Sequence, residues 1–328
     1  MSGRNDTLLA LLASAGLAGC AGSQAAAVPV HAAPAPAQHP WTKGGLTQKD
    51  LLYVTNADNE VTVYNYANQT LVGVLTGFSQ PMGDCSDTSG NVYVTDYTAQ
   101  QIVEYAHGVS EPIEKLSDTP DHPYACSVDP KTGNLAVAND DGTSQQGNIA
   151  IWQHGSGSPT LYTDSKAENF ESCAYDSNGN LFATSGYAGY GYQTSFAWLP
   201  SGGSKLVSLN VPGPNPSWKW SGVFGVGWDG KFFVIDASTI YRIALTHGQA
   251  FYVSEIQLTY DEEQGENGPY VFYLKTPTTE ANAVIAGANG DDGASVNYWA
   301  YTAGGAQTAE IAHGVDRPFG VAISLRKR

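Results

Sequence analysis

The chain has 328 residues and a formal net charge of −16 at pH 7, since 31 Asp and Glu outnumber 15 Lys and Arg. A surface of that sign repels polyphosphate, so the composition excludes nucleic acid as a partner and disfavours adsorption onto anionic lipid headgroups. Glycine is abundant, at 37 residues, and only 14% of residues are charged. This mixture suits short strands and tight turns better than long helices.

The first twenty residues predict export. Arg4 supplies a short positive region, an apolar stretch follows from Leu8 to Leu12, and Leu17-Ala18-Gly19-Cys20 resembles a bacterial lipobox. The apolar stretch is too short to remain as a membrane span. We expect residues 1–20 to be a lipoprotein signal peptide and Cys20 to carry the lipid that anchors the chain in the cell envelope. The alternative is an ordinary cleaved signal that is cut near residues 25–27.

Residues 21–47 are rich in Ala, Pro, Gln and Gly and have no apolar periodicity. Such a segment cannot bury enough surface to fold, so we expect a flexible tether. Residues 48–328 then form a single folded domain, and no later stretch is apolar enough to predict a membrane span.

Six strand-like segments recur along that domain. Each runs apolar or alternates for five or six residues, as a β-strand does. The segments are Leu51-LYVTN, Asn91-VYVTD, Asn134-LAVAN, Asn180-LFATS, Lys231-FFVID and Asn282-AVIAG. Their starts lie about 40, 43, 46, 51 and 51 residues apart, which is typical of one four-stranded propeller blade.

Each segment has three companions, which makes six sets of four strands. A first strand precedes the segment, an aromatic third strand follows it, and a more polar fourth strand ends the set. The first strands are predicted at 82–87, 123–129, 171–176, 223–229, about 270–274 and 319–325. Asp- and Gly-containing turns at Asp87, Asp129, Asp176 and Asp229 predict tight hairpins, because Gly accepts the positive φ that such turns require.

The two ends of the domain are predicted to share one blade. The domain begins on a second strand, Leu51–Thr55, and ends on a first strand, Phe319–Ser324. Pairing them would close the ring and remove its free edge. The alternatives are two smaller β domains or a sandwich, or five or seven blades if residues 231–290 divide differently.

The run Pro81–Asp96 (PMGDCSDTSGNVYVTD) and the run His122–Asn139 (HPYACSVDPKTGNLAVAN) carry a family resemblance. They resemble NHL-type six-bladed β-propellers, a superfamily that includes virginiamycin-B-lyase-like and gluconolactonase-like proteins. The resemblance covers roughly residues 50 to 325 and is closest to bacterial secreted or lipid-anchored propellers of unassigned activity. It implies an all-β, six-bladed β-propeller with closure of one blade by the N- and C-terminal strands, but it implies no particular activity.

One end of the predicted propeller carries all the long loops, and we call it the loop face. In this topology the connections from second to third strands and from fourth strands to the next blade share that end, whereas short hairpins occupy the other, the hairpin face. Long loops in a compact domain are usually functional. Candidate binding residues on the loop face are Tyr187, Tyr190, Tyr192, Trp218, Trp220, Asp140, Asp141, Asp291 and Asp292. The aromatic residues are suited to stacking against sugars or peptide side chains.

Two alternatives apply to these residues. Trp218 and Trp220 could instead fill the gap between two blades, and the paired aspartates could be solvated turn residues. Oxygen-rich loops also make Ca²⁺ a candidate ligand, although no loop has the spacing of an EF-hand. No other cofactor is expected.

Three cysteines remain after Cys20, and all lie on predicted first strands: Cys85, Cys126 and Cys173. Export permits a disulfide. Alternate residues of a strand face opposite neighbouring blades. Cys85 stands two residues before the Asp that ends its strand, whereas Cys126 and Cys173 stand three before theirs, so parity favours a Cys85–Cys126 bond. Three reduced, buried cysteines are the alternative.

The sequence favours binding over catalysis. Asp84 and Glu171 are the acidic residues of the first strands, too few oxygens for the axial metal cage of gluconolactonase-like proteins, and several histidines precede Gly in outer turns. We therefore expect a monomeric, lipid-anchored binding or scaffold module for an envelope protein or glycan. The alternative is a divalent-metal-dependent lyase or lactone hydrolase that uses the axial pocket.

Overall fold

The computed structural model describes residues 48–140, 146–167, 169–186, 194–220, 223, 225–236, 239–259, 269–274, 283–288 and 295–327. These residues belong to one compact unit, Gln38–Arg328. They form β-strands joined by turns, with a short 3₁₀ segment at Gln153–Gly155. The strands, in chain order, are β1 (Leu51–Asn56), β2 (Val61–Asn65), β3 (Leu71–Leu75), β4 (Pro81–Ser86), β5 (Val92–Asp96), β6 (Gln101–Tyr105), β7 (Pro112–Ser117), β8 (His122–Val128), β9 (Leu135–Asp140), β10 (Asn148–Trp152), β11 (Thr160–Tyr162), β12 (Asn169–Tyr175), β13 (Leu181–Gly186), β14 (Ser195–Leu199), β15 (Val207–Leu209), β16 (Gly225–Trp228), β17 (Phe233–Asp236), β18 (Thr239–Thr246), β19 (Gln249–Thr259), β20 (Pro269–Leu274), β21 (Ala283–Ala288), β22 (Val296–Ala300), β23 (Gly305–Ala306), β24 (Ala309–Ile311) and β25 (Pro318–Ser324).

The strands are apolar on both faces because each sheet packs between two neighbours. In β1, Leu51 and Tyr53 join a cluster with the next sheet, whereas Leu52 and Val54 join a cluster with the preceding one. All four side chains are fully buried. Burial of a side chain of this size stabilises the fold by about 1.5–3 kcal/mol. The near-continuous apolar runs of the repeat follow from this two-sided packing.

The predicted hairpin turns are confirmed. A carboxylate oxygen of Asp87 accepts the amide N–H of Ser89 at 2.8 Å, and Asp129, Asp176 and Asp229 accept the amide two residues on in the same way. The turn glycines have positive φ, as at Gly90, where φ is 86°. The first-to-second-strand turns are thus built alike by Asp and Gly.

The predicted closure is also confirmed. β1 pairs antiparallel with β25, from Leu51 opposite Ser324 to Asn56 opposite Pro318. The first strands pack against one another in the order β25, β4, β8, β12, β16, β20 and back to β25. They surround an axis, as in a propeller.

The prediction of a six-bladed propeller with equivalent four-stranded blades is wrong. The structure has five four-stranded blades, and the sheet that contains β16–β19 has five strands. β18 and β19 have eight and eleven residues, so their hairpin is long and its outer edge offers unpaired backbone groups. β23 pairs with that edge in parallel at Leu258 and Thr259. Most of this irregular sheet lies within residues 231–290, whose division into blades the sequence leaves open.

The structure joins Cys85 to Cys126 by a disulfide, with 5.6 Å between the Cα atoms. Cys173 is buried and free. The thiol of Cys173 and the sulfur of Cys126 lie 3.8 and 3.7 Å from backbone oxygens of Ala136 and Tyr93, each in the preceding sheet. Cys126 and Cys173, which have the same parity, therefore both point toward the preceding sheet. Cys85 has the opposite parity and points toward the following sheet, which is why Cys85 and Cys126 can meet.

Within the part of the chain that the structure describes, no helix has the length and apolar character needed to cross a bilayer.

Candidate functional site

Five first strands contain a β-bulge near their loop-face ends. The register irregularities fall at Met82 and Gly83 in β4, Tyr124 in β8, Glu171 in β12, Phe272 in β20 and Phe319 in β25. A bulge turns a side chain away from the direction it would have in a regular strand. The repeated bulge therefore creates one special position in each of these strands at the loop-face end of the axis.

Threonine hydroxyls hold the bulges together. Thr95 Oγ1 accepts the amide N–H of Gly83 at 2.8 Å and lies 3.0 Å from the carbonyl oxygen of Tyr124 in the next blade. In the same way, Thr55 Oγ1 accepts the amide N–H of Gly320 and donates to the carbonyl oxygen of Met82 in the next blade. Because each hydroxyl satisfies groups of two neighbouring sheets, the backbone around the axis is a rigid support.

The first strands approach closely at this level. A Cβ at Gly83 would lie 2.6 Å from the carbonyl oxygen of Tyr124, and a Cβ at Gly320 would lie 2.8 Å from that of Met82. These contacts require glycine.

Five half-buried side chains lie at or near the loop-face ends of β5, β8, β9 and β12, and we call them the axial cluster: Tyr97, His122, Tyr124, Asp140 and Glu171. The Tyr97 hydroxyl donates to Asp140 Oδ2 at 3.3 Å. The Tyr97 ring lies 4.7 Å from the His122 ring and 6.3 Å from the Tyr124 ring. His122 and Asp140 are register partners in β8 and β9.

His122 is held in place through both ring nitrogens. Its Nδ1 lies 3.0 Å from the carbonyl oxygen of Tyr97 and therefore donates to it. Its Nε2 lies 3.3 Å from Nε2 of Gln100, which can only donate. Both ring nitrogens are thus engaged in orienting the ring against Tyr97, which leaves neither free for proton transfer.

Glu171 is the electrostatically unusual member of the axial cluster. Burial, and next the negative charge of Asp140, raise the pKa of Glu171 to about 7. The Glu171 carboxylate lies against Gly186, where a Cβ would be 2.7 Å from Oε1. Among the described residues the ion pairs are Arg242–Asp229 and Arg317–Asp316, so Glu171 has no described cationic partner.

A second feature of the loop face is a cavity of about 370 Å³ at its outer rim. The buried side chains of Phe196, Leu209, Val211 and Trp220 contribute its apolar part. Polar groups, among them Lys166 and Ser208, complete the lining. This mixture suits a small amphiphilic group.

The structure places Trp218 and Trp220 between two sheets. Trp220 is 8% exposed, its indole N–H donates to the carbonyl oxygen of Val211 at 2.8 Å, and its ring packs edge-on against Phe196 and Tyr241 at 5.7 and 5.0 Å. The half-buried Trp218 packs against Trp220 and Tyr241. This is the packing role that the sequence leaves open, and it makes Trp220 an anchor for the loop that forms the cavity wall.

The other candidates separate into two groups. Asp140 belongs to the axial cluster, together with Tyr97, His122, Tyr124 and Glu171, which the sequence does not select as binding residues. Tyr187, Tyr190, Tyr192, Asp141, Asp291, Asp292 and Cys20 lie outside the described residues. One signal for Glu171 is present in the repeat alignment: it stands where Met82, Tyr124 and Phe319 stand in other first strands.

Within the described residues, no group of three or more His, Cys, Asp or Glu side chains is arranged to hold a metal ion. His107, in the turn between β6 and β7, has a structural contact: its Nδ1 lies 2.5 Å from Ser324 Oγ. His313 lies between β24 and β25, where its backbone carbonyl oxygen accepts the Tyr64 hydroxyl at 2.6 Å.

No protein-family model and no curated protein sequence matches the chain. Solved structures are similar to it. A chain of the nidogen/laminin complex superposes with a TM-score of 0.56 at 14% identity, over 85% of this chain and 99% of that chain. A Bacteroides caccae protein of unknown function gives 0.59 at 10% identity, over 84% and 99%. The β-propeller domain of Cps50 (Swd1) from Myceliophteria thermophila gives 0.54 at 10% identity, over 83% and 86%. At such identities the likeness shows the fold alone: the chain is a β-propeller.

Proposed function

We propose that the chain is a binding module that recognises a protein of the cell envelope through its loop face. The observation that carries this proposal is the axial cluster, in which the half-buried Glu171 carboxylate has no described cationic partner and interacts with Asp140, whose carboxylate accepts the hydroxyl of the half-buried Tyr97. The described first-to-second-strand turns of the hairpin face, in contrast, are short and held by their own Asp side chains. A perturbed carboxyl group with a second carboxylate nearby, at one end of a rigid ring, favours that end as the site.

A further support is the kind of protein that shares the fold. One similar structure is named as part of a nidogen/laminin complex, which is an assembly of two proteins. Propellers host many unrelated functions, so this is an analogy. It agrees with the choice of a protein over a glycan as the partner.

The proposal includes the location and the family. Cys20 carries the lipid, residues 21–47 are the tether, and the propeller of residues 48–328 is an NHL-type domain held at a membrane surface. Labelling with a palmitate analogue, compared between the natural chain and Cys20→Ser, tests the anchor. An unlabelled natural chain would contradict it.

The binding proposal is tested by cross-linking in intact envelopes with the full chain. The loop-face variant is Tyr187→Ala/Tyr190→Ala/Tyr192→Ala. The matched hairpin-face variant is Lys131→Ala/Asn178→Ala, whose exposed side chains lie in two of the Asp-held turns. We expect the loop-face variant to lose a discrete cross-linked protein and the hairpin-face variant to keep it. Equal cross-linking by both variants, or retention of glycan alone, would contradict a protein-binding loop face.

A further inference from the structure

Glu171 stands at a position that is otherwise apolar or aromatic. In the other bulged strands the corresponding residues are Met82, Tyr124, Phe272 and Phe319. A carboxylate there loses hydration, and the nearby charge of Asp140 adds repulsion. No hydrogen bond or ion pair to a described residue offsets this penalty, whereas a methionine would avoid it. Such an unfavourable group on a rigid support indicates a binding role.

The surroundings of Glu171 define the chemistry of the ligand group that would bind it. Asp140 supplies a second carboxylate, and Tyr97 and Tyr124 supply aromatic surface in the same cluster. Carboxylates bind cations, and ring faces attract them through the ring quadrupole. A guanidinium satisfies both requirements, because it is planar, always charged, bonds a carboxylate through two N–H groups and stacks on aromatic rings.

We propose that the axial cluster binds an arginine side chain presented by the partner protein. The Glu171 and Asp140 carboxylates accept its N–H groups, and the rings of Tyr97 and Tyr124 contact its apolar stem and guanidinium plane. His122 is a positioning residue, since its Nδ1 contacts the carbonyl oxygen of Tyr97, its Nε2 contacts Gln100 and its ring packs on that of Tyr97. The inference rests on the proposed function and names the chemical group that the loop face recognises. The net charge of −16 favours the approach of a basic partner.

The test uses the full chain and a defined probe, N-acetyl-arginine methylamide, with the citrulline analogue as its uncharged isostere. Binding is followed by NMR shift perturbation at pH 8, where Glu171 is ionised. We expect the arginine probe to bind at least tenfold more tightly than the citrulline probe. A tenfold difference in Kd corresponds to about 1.4 kcal/mol of binding free energy. We expect perturbed resonances at Tyr97, Tyr124 and Glu171.

Two substitutions at one position separate binding from folding. Glu171→Gln keeps the shape, and Glu171→Met installs the residue that β4 has at the corresponding position, so it is compatible with the bulge. Both should reduce arginine binding at least tenfold while the thermal midpoint stays the same or rises. The hairpin-face variant Lys131→Ala/Asn178→Ala should bind the probe as the natural chain does.

Three results would overturn the inference: equal binding of arginine and citrulline, unchanged binding by Glu171→Met, or displacement of arginine by Ca²⁺ that binds more tightly at the same residues. The last would identify a cation site. Because the probe needs no envelope partner, this test is independent of the cross-linking. If the loop-face variant loses its cross-linked protein but the natural chain does not bind the arginine probe, only this inference is refuted. If the natural chain binds the arginine probe but the loop-face variant keeps its cross-linked protein, only the proposed function is refuted.

Discussion

At the scale of single residues, Asp84 is a buried acid that the fold does not need. Its side chain is 9% exposed, and neither carboxylate oxygen completes a hydrogen bond with a described residue. Burial raises the pKa of Asp84 well above its usual range, and the backbone amides of Ala322 and of Asp84 itself, which lie nearby without completing a hydrogen bond, only partly offset this. The corresponding residues of β16 and β25 are Val226 and Val321. A valine at position 84 should therefore pack without penalty.

We expect Asp84→Val to stabilise the propeller by about 1–3 kcal/mol at neutral pH, the range for removing an unpaired buried polar group. The sign depends on pH. Because the folded-state pKa is raised, deprotonation is harder in the folded chain, and the destabilisation by Asp84 grows as pH rises above the unfolded-state value of about 4. Urea denaturation at pH 4 and pH 8 should show a larger gain at pH 8, and an equal gain would contradict the argument.

Asp96 is the matched control, since its carboxylate accepts the amides of Ser79 and Gln80 and the side chain of Gln101. Asp96→Asn should destabilise the chain, because an amide group provides a single acceptor oxygen.

Glu171 should titrate near neutrality. Its pKa of about 7 arises first from burial and then from Asp140. Asp140→Asn should lower the midpoint but leave it above the usual value for Glu, since burial remains. The remaining ionisable side chains of the axial cluster are those of Tyr97, His122 and Tyr124. Carbon-detected NMR of the Glu171 carboxyl measures the midpoint in both chains, and a midpoint near 4.5 in the natural chain would show that the group is well solvated.

At the scale of elements, the loop before β16 depends on one indole. Trp220 fills the space between Phe196 and Tyr241 and donates to Val211. Trp220→Ala should reduce the free energy of unfolding by about 3–5 kcal/mol, as expected for truncation of a buried Trp. Trp218→Ala should have a smaller effect, because Trp218 is partly exposed. Chemical denaturation compares the two, and equal losses would show that Trp218 anchors the loop as much as Trp220 does.

The described strands were largely predictable, because two-sided burial forces apolar runs and the Asp–Gly turns punctuate them. The fifth strand of the β16–β19 sheet was not predictable from the sequence. β23 has two residues, Gly305 and Ala306. It pairs because the end of β19 leaves an open sheet edge, and the residue types of β19 and β23 do not predict that pairing. The axial cluster was missed for a similar reason. It arises from bulges, which are properties of register, and only the unusual Glu171 among apolar equivalents hints at it.

At the scale of the whole molecule, stability should depend on the joining of the two ends. β25 pairs with β1 over its length, packs against β4 and β20, and buries Val321, Ala322 and Ile323 almost completely. At about 1.5–3 kcal/mol for each larger apolar side chain, together with six residue pairs of sheet, β25 contributes an amount comparable to the about 5–15 kcal/mol that stabilises a typical domain. Without it, β1 would present an open edge at the axis, and the ring would be interrupted between β20 and β4.

We therefore expect deletion of residues 318–328 to abolish cooperative unfolding and amide protection throughout the ring, not only in β1. The matched control deletes residues 325–328, which removes the bonds from Arg326 to Asp50 and Gln48 but leaves β25 intact. Hydrogen exchange with mass spectrometry distinguishes local from global loss. If the longer deletion kept protection in β8–β15 while exposing β1 alone, the sheets would be independently stable units. Closure would then position the ends without holding the ring together, and the rigid support of the axial cluster would have to come from the Thr95-type contacts between neighbouring blades.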